Sequence, residues 1–199
     1  TPFNLVVGEP GVGKTRLIKD TFPQAFSLKC LEGLNNFPYY PVLEFLRANL
    51  SKINPGLYYE DLVPLLPELS SHRVSDVLEP DIAKVRLIEA LALTLESFQQ
   101  TLLFDDVQWI DSATLELLMF LVSRNKTKIY ATCRKGEESP ALRSALLILQ
   151  RQHVLTEIQL KPLASRDIKH LLADLIGTDD GPEKFSQWLY TRSSGNVFF

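Results

Sequence analysis

The sequence carries no strong excess of charge: 21 Lys and Arg stand against 24 Asp and Glu, for a formal net charge of −3. A basic footprint for nucleic acid or an anionic membrane is therefore missing, and direct nucleic-acid contact by this domain is not expected. No apolar run approaches the roughly 18 residues of a membrane span, and no signal peptide opens the chain. Cysteine is scarce. Cys30 and Cys133 each sit inside an apolar run without metal-ligand spacing. They read as small core hydrophobes in a reducing compartment rather than as a disulfide, which points to the cytoplasm. There is no internal repeat and no low-complexity tract, and His72, His153 and His170 lie in no catalytic pattern.

What is present is a globular profile. Hydrophobic residues make up 45% of 199, enough for one α/β domain with a small appendage. Five short apolar runs read as strands: Phe3–Val7, Phe26–Cys30, Thr101–Asp105, Lys128–Cys133 and Val154–Leu160. Their near-continuous apolar character predicts a parallel sheet covered on both faces. Helical patterns alternate with them. One follows Asp81 as a cap, through Ile82, Val85, Ile88, Leu91, Leu95 and Phe98. Another follows Asp111 as a cap, through Leu115, Leu118, Met119 and Val122. Others span Lys14–Thr21, Val42–Leu50, Leu142–Gln152, Arg166–Ile176 and Pro182–Thr191. The alternation predicts a doubly wound α/β fold. Residues 38–80 hold Pro38, Pro41, Pro55, Pro64, Pro67 and Pro80, six of the twelve prolines. Proline ends helices and cannot donate to a central sheet, so this region reads as an insertion of short helices and turns, about 31–81. The expected organisation is an α/β core over 1–162 and the start of a helical lid over 163–199.

Gly8-Glu9-Pro10-Gly11-Val12-Gly13-Lys14-Thr15 fits G-x-x-x-x-G-K-[ST] without a mismatch. Its glycines permit backbone that a Cβ would obstruct and let amide N–H groups turn inward. Those amides, with the N-terminus of the helix that follows, attract phosphate oxygens. Lys14 adds a point charge near the β- and γ-phosphates, Thr15 is the expected Mg²⁺ ligand, and Arg16 continues the binding segment. The loop follows a strand pattern and opens a helix pattern, the context that this motif demands.

Thr101–Asp106 is an apolar strand ending in two acids. In P-loop enzymes the first acid serves Mg²⁺, here with Thr15, and the second polarises the attacking water. Asp105 takes the first role and Asp106 the second. Energetic ATPases of this class usually carry Glu at the second place. Asp is shorter by one methylene, about 1.5 Å, and a misplacement near 1 Å costs on the order of a hundredfold in rate. Slow hydrolysis is expected. Lys128–Arg134 is a further strand, and in additional-strand P-loop folds such a strand lies between the phosphate-loop strand and the acid strand. Arg134 at its end would face the γ-phosphate and take part in catalysis beside Lys14 and Asp106.

At this point the residues resemble a family. Phe104 to Leu118, FDDVQWIDSATLELL, is very similar to the acid-strand motif of the signal-transduction ATPases with numerous domains. It is most like the branch in large LuxR-type and antibiotic-regulatory transcription activators and in multidomain cyclases and kinases. Gly8–Thr15, Ala131–Arg134, Lys161-Pro162-Leu163 and Ser194-Gly195-Asn196 also resemble that branch. The likeness covers nearly the whole chain. It implies an additional-strand P-loop NTPase fold, five parallel strands between helices, binding ATP or ADP with Mg²⁺. It further implies switching between closed and open states, other domains of a parent protein as partners, and nucleotide-dependent homo-oligomers. Arg134 falls at the family's sensing arginine. Trp109 is expected to pack and Asp111 to cap a helix. Two features depart from the pattern. Val197 stands where the family has a lid proline near adenine, and the chain begins at Thr1, just before the first strand. Together they predict that phosphate binding survives while nucleotide affinity and recognition of adenine are weakened.

The leading expectation is a Mg²⁺–ATP switch with slow hydrolysis inside a regulator. Two alternatives remain: a non-catalytic module that holds nucleotide and offers its proline-rich insertion to a partner, and a small-molecule kinase, for which no acceptor pocket is evident. Tyr39-Tyr40 is read as core packing before partner contact. Arg124 and Arg143 are the candidates for a finger reaching a neighbouring subunit's phosphate.

Overall fold

The computed structural model describes residues 2–53, 59–69 and 80–198. The elements follow in the order β1 (Phe3–Gly8), α1 (Lys14–Thr21), β2 (Phe26–Lys29), α2 (Tyr40–Ala48), α3 (Tyr59–Leu62), α4 (Pro80–Ser97), β3 (Leu102–Asp105), α5 (Ser112–Arg124), β4 (Ile129–Arg134), α6 (Pro140–Arg151), β5 (Leu155–Gln159), α7 (Ser165–Ile176) and α8 (Glu183–Ser193). All five strands run parallel in the order β2-β3-β4-β1-β5. The additional strand β4 thus lies between the phosphate-loop strand and the acid strand, as expected. Its register pairs Val7 with Cys133 and Gly8 with Arg134, and sets Phe104 against Ala131. That register brings the phosphate loop, both acids and Arg134 to one end of the sheet.

Burial follows position in the sheet. Every residue of β1 and β3 is buried. The expectation that all strands are covered on both faces fails at β5, where Thr156–Gln159 are exposed and Leu155 is half-buried. Among the described residues this strand pairs only with β1, and its polar Thr156, Glu157 and Gln159 suit an edge. Cys30 and Cys133 are free and buried, as read from the sequence.

The proline-rich region does break into short pieces: α2, a 3₁₀ turn at Leu50–Lys52, α3 and a second 3₁₀ turn at Pro67–Leu69. Pro55 and His72 lie outside the described residues. A trio of rings, Phe26, Phe45 and Phe98, joins β2, α2 and the end of α4, with centroids 5.0 to 5.3 Å apart. Offset and edge-on pairs of this kind add to simple area burial. Helix α2 starts two residues before the expected Val42, because Pro41 in a first turn has no N–H to lose. Helix α4 starts at Pro80, as the Pro80-Asp81 pattern predicts, but Asp81 sits inside the first turn rather than at the cap, where its negative charge is favourable at the positive end of the helix dipole. Ile82 and Val85 of its apolar pattern are exposed, while Leu91 and Leu95 are buried. Only the C-terminal half of α4 seats in the core.

Asp111 caps α5 as expected. Its Oδ1 accepts from the Thr114 amide at 2.8 Å and its Oδ2 from the Thr114 hydroxyl at 2.5 Å. The same Oδ1 accepts from the Tyr39 amide at 3.0 Å. One buried carboxylate therefore both starts a helix and pins the entrance of the insertion, where Tyr39 is buried at φ 59°.

After β5 the chain forms a helical pair. Helices α7 and α8 pack together, and Lys169 on α7 bridges Asp180 at 2.9 Å and Glu183 at 3.0 Å. The Leu163 amide donates to Gly195 O at 2.8 Å, returning the end of α8 to the segment after β5. Among the described residues no helix is long and apolar enough to cross a membrane. His153 and His170 are exposed.

Candidate nucleotide-binding site

The loop between β1 and α1 turns on Gly13, whose φ of 97° is a conformation that a side chain would strain. It is the residue that caps α1, an eight-residue helix whose first amides have no intrahelical acceptors. Lys14 follows, 7% exposed, and its Nζ donates to Gly8 O at 3.0 Å and Glu9 O at 2.8 Å. The ammonium thus folds back on its own loop, at the place where a phosphate would supply stronger acceptors. Burial lowers its pKa below the usual lysine value. The neighbouring Asp106 carboxylate opposes that shift, and the Arg134 charge reinforces it.

Asp105 is buried at the end of β3. Its Oδ1 accepts from Thr15 Oγ1 at 2.7 Å and from Thr132 Oγ1 at 2.6 Å. Thr132 is fully buried on β4, and the same hydroxyl accepts from the Asp106 amide at 2.8 Å. The ends of β3 and β4 and the start of α1 are therefore tied through one threonine hydroxyl and one carboxylate oxygen. Asp106 sits in the left-handed region at φ 58°, ψ 51°, outside the range comfortable for a non-glycine residue. Its Oδ1 accepts from Gln108 Nε2 at 2.9 Å and lies 3.9 Å from Arg134 Nε. Gln108 Oε1 in turn accepts from the Arg134 amide at 3.2 Å. The Arg134 guanidinium also approaches Glu137 at 3.6 Å and lies 6.0 Å from the centre of the Trp109 ring. Trp109 packs against the core as expected and also gives this cation an aromatic face.

Lys14, Thr15, Arg16, Asp106 and Arg134 line one open cleft of about 310 Å³ above the loop. Of the other loop residues, Pro10, Gly11 and Gly13 line it too, Val12 is buried, and Gly8 and Glu9 hold Lys14 through their carbonyls. Arg16 is at the rim, paired with Asp20 at 3.3 Å in full exposure. The two finger candidates differ. Arg124 is engaged with Glu96 through two bonds of 2.7 and 3.0 Å, whereas Arg143 is exposed and 3.8 Å from Glu138.

Among the described residues no cluster of three or more His, Cys, Asp or Glu could hold a metal by itself. Mg²⁺ does not need one, since it takes one or two protein oxygens and completes its shell with phosphate and water. The Thr15 hydroxyl and Asp105 carboxylate, 2.7 Å apart, supply hard oxygen donors beside the loop and fit that requirement.

Three features of the site escaped the sequence. Thr132 is an unremarked small residue until the register sets it opposite the acids. Gln108 is buried, 5% exposed, and connects Asp106 to β4. Asn196, beyond α8, donates from Nδ2 to Pro10 O at 2.8 Å, and its Oδ1 accepts from the Phe198 amide at 3.0 Å. A Cβ on Gly11 would come within 2.7 Å of that Oδ1 and 2.6 Å of Phe198 Cβ, so only glycine admits this approach. Val197 lies beside Gly13. Polar residues in short apolar stretches, Gln108 above all, were the available signal. Their partners are remote in sequence.

Comparison with known proteins agrees with this geometry. A family model described as AAA ATPase domain matches residues 1–133. No curated protein matches by sequence. Two solved structures share the fold. A signal-transduction ATPase with numerous domains and a tetratricopeptide repeat sensor, from Pyrococcus horikoshii, aligns with a TM-score of 0.58 at 17% identity, over 99% of this chain and 26% of its own. The Walker-type ATPase of Pyrococcus abyssi aligns with a TM-score of 0.55 at 18% identity, over 98% of this chain and 59% of its own. The chain thus spans from about a quarter to under two thirds of these relatives' length. With a matched family model, a five-stranded parallel P-loop fold and a phosphate loop facing paired acids, the chain belongs to the AAA ATPase domain family.

Proposed function

We propose that the protein is a Mg²⁺–ATP-dependent switch module that hydrolyses ATP slowly and works in the cytoplasm within a larger signal-transduction or transcription-regulatory protein. The observation that carries this reading is the direct link between loop and acid strand, Thr15 Oγ1 to Asp105 Oδ1 at 2.7 Å, with Asp106 and Arg134 on the same cleft. On binding, Lys14 exchanges the Gly8 and Glu9 carbonyls for β- and γ-phosphate oxygens, and the loop amides with Arg16 receive the rest of the chain of phosphates. Thr15 and Asp105 would hold Mg²⁺, which would supply charge that neutralises the phosphates. Asp106 orients a water. Its oxygen attacks the γ-phosphorus, the bond to the β-phosphate oxygen breaks, and the water proton passes to the carboxylate or the departing phosphate. Arg134 reads the γ-phosphate. The helical pair beyond β5 acts as the start of a lid, since Asn196 already touches Pro10 O. A sensor repeat on the Pyrococcus horikoshii protein supports a multidomain parent. Domain or subunit rearrangement is the natural output.

A second reading has its own observation. Asp106 Oδ1 is engaged by Gln108 and faces Arg134 at 3.9 Å, which favours a module that holds adenine nucleotide without turning it over. Titration with ATP and ADP, with and without Mg²⁺, followed by single-turnover hydrolysis, separates the two. Lys14→Ala is expected to weaken ATP binding on the order of a hundredfold. Asp106→Asn should retain binding and lose hydrolysis. Equal hydrolysis in Asp106→Asn and wild type would end the catalytic reading. Unaltered binding in Lys14→Ala would end both.

A further inference from the structure

The Gln108 side chain joins two groups with opposite needs. The Asp106 carboxylate requires a donor and receives Nε2 at 2.9 Å, while the Arg134 main-chain N–H requires an acceptor and finds Oε1 at 3.2 Å. A primary amide offers both at once, and this orientation of the amide alone satisfies both partners. The side chain is buried, so neither bond is readily exchanged for water. Asp106 is held at strained dihedrals, and its main chain is fastened to β4 separately, through Thr132. Its carboxylate is thus positioned by Gln108 while its backbone is positioned by Thr132. Both lead to β4, the strand that ends in Arg134.

We propose that Gln108 is a positioning residue that couples the sensing end of β4 to the Asp106 carboxylate, so that a shift of Arg134 toward a γ-phosphate re-aims the group that orders the water. It rests on the reading of Asp106 given above and adds a residue that the motif alone does not assign. In the nucleotide-free state the amide holds Oδ1 toward β4, beside Arg134. When the Arg134 main chain moves, Oε1 follows and Nε2 carries the carboxylate with it. The charged groups around this coupling are Asp105 at the end of β3, Asp106 just after it, Lys14 at the start of α1, Arg134 at the end of β4 and Glu137 just beyond.

The test combines single-turnover ATP hydrolysis with ATP and ADP affinity, measured for wild type, Gln108→Leu, Gln108→Glu, Asp106→Asn and the Asp106→Asn/Gln108→Leu double variant. Gln108→Leu should slow the chemical step on the order of tenfold to a hundredfold, with ATP affinity within about twofold of wild type. In the Asp106→Asn background the same change should add almost nothing, because both act through one carboxylate. Gln108→Glu provides a signature that simple loss of packing does not give. A neutral carboxyl has an O–H for Asp106 and a C=O for the Arg134 amide, and two facing carboxyls share a proton. Its rate relative to wild type should therefore rise as pH falls from 8 to 6, while that of Gln108→Leu stays flat. Gln108→Glu is near-isosteric and covers the case in which Gln108→Leu folds poorly. Slowed Asp106→Asn beside unchanged Gln108→Leu and a flat Gln108→Glu ratio overturns the coupling alone. Equal rates in Asp106→Asn and wild type, or no hydrolysis by wild type at all, overturn the role of Asp106 and the coupling with it.

Discussion

Two lysines define two regions. Lys14 is buried at the end of the sheet that carries the phosphate loop, and burial pushes its pKa below the ordinary 10.5. Lys169 lies on α7 of the helical pair, and its bonds to Asp180 and Glu183 push its pKa above that value. The sheet end keeps a charge that burial disfavours. The helical pair uses its charge to hold itself together at the surface. The packing differs in the same sense. At the sheet end the buried polar groups Lys14, Asp105, Gln108, Asp111, Thr114 and Thr132 all hydrogen-bond within the protein, and among the described residues no buried side-chain N or O lacks a partner. In the helical pair and the segment after it, Leu171, Leu175, Ile176, Phe185, Trp188 and Phe198 are exposed. A saturated polar network is rigid, whereas a pair of helices with exposed apolar side chains and one side-chain bond to the loop can re-seat.

The largest effect that would break this contrast is expected at Asp111. Asp111→Ala removes the cap of α5 and the acceptor for Tyr39 N–H together, a loss of about 3 kcal/mol visible in urea unfolding. Thr132→Val keeps the volume but takes a donor from Asp105 and an acceptor from the Asp106 amide. It should cost about 2 kcal/mol and weaken Mg²⁺-dependent nucleotide binding. Asn196→Ala touches the other region. A loss of about 1 kcal/mol or less is expected, read as faster hydrogen exchange in α7 and α8 with β1 and β3 unchanged.

The response to pH sharpens the contrast further. Lys14 has a folded pKa below its unfolded one, so the unliganded protein gains stability as pH rises through the window that ends at 10.5. Bound phosphate favours the charged form, so ATP binding in that window takes up a proton, measurable by calorimetry in buffers of different ionisation heat. Lys169 has the opposite sign. Its contribution is fully present below 10.5 and is lost as pH rises through its higher folded value. Glu183, lowered first by its bond to Lys169, contributes above 4.5 and loses that contribution as pH falls through its folded value. The smallest effect is therefore loosening of α8 in acid or at high salt, detected by proteolysis. The thiol of Cys133, pushed up to about 12 chiefly by burial, should resist alkylation until the protein unfolds.

Much of this was legible in the sequence. The phosphate loop is local, eight consecutive residues whose geometry depends on glycine conformations and one helix start. Five apolar runs between helical patterns gave the α/β class, and the two acids were readable because they end a strand. The exposed β5 was less so, since Val154, Leu155, Ile158 and Leu160 match a covered strand and only the order of strands makes it an edge. The early start of α2 and the exposed first turns of α4 were hidden for similar reasons. Proline tolerance depends on the turn position it occupies, and an apolar stripe does not name what it faces.

By itself the sequence determined the residue types on offer: a glycine-rich loop of the phosphate-binding pattern, a threonine and an aspartate with hard oxygens, a second aspartate beside them, and an arginine at a strand end. Those are properties of residue types at short spacing. Only the tertiary structure decided how they are aimed. Thr132 meets Asp105 from 27 positions away, Gln108 bridges Asp106 to Arg134 across 26, and Asn196 reaches Pro10 across 186. Such pairings follow from strand register and helix packing, and no local pattern encodes a register.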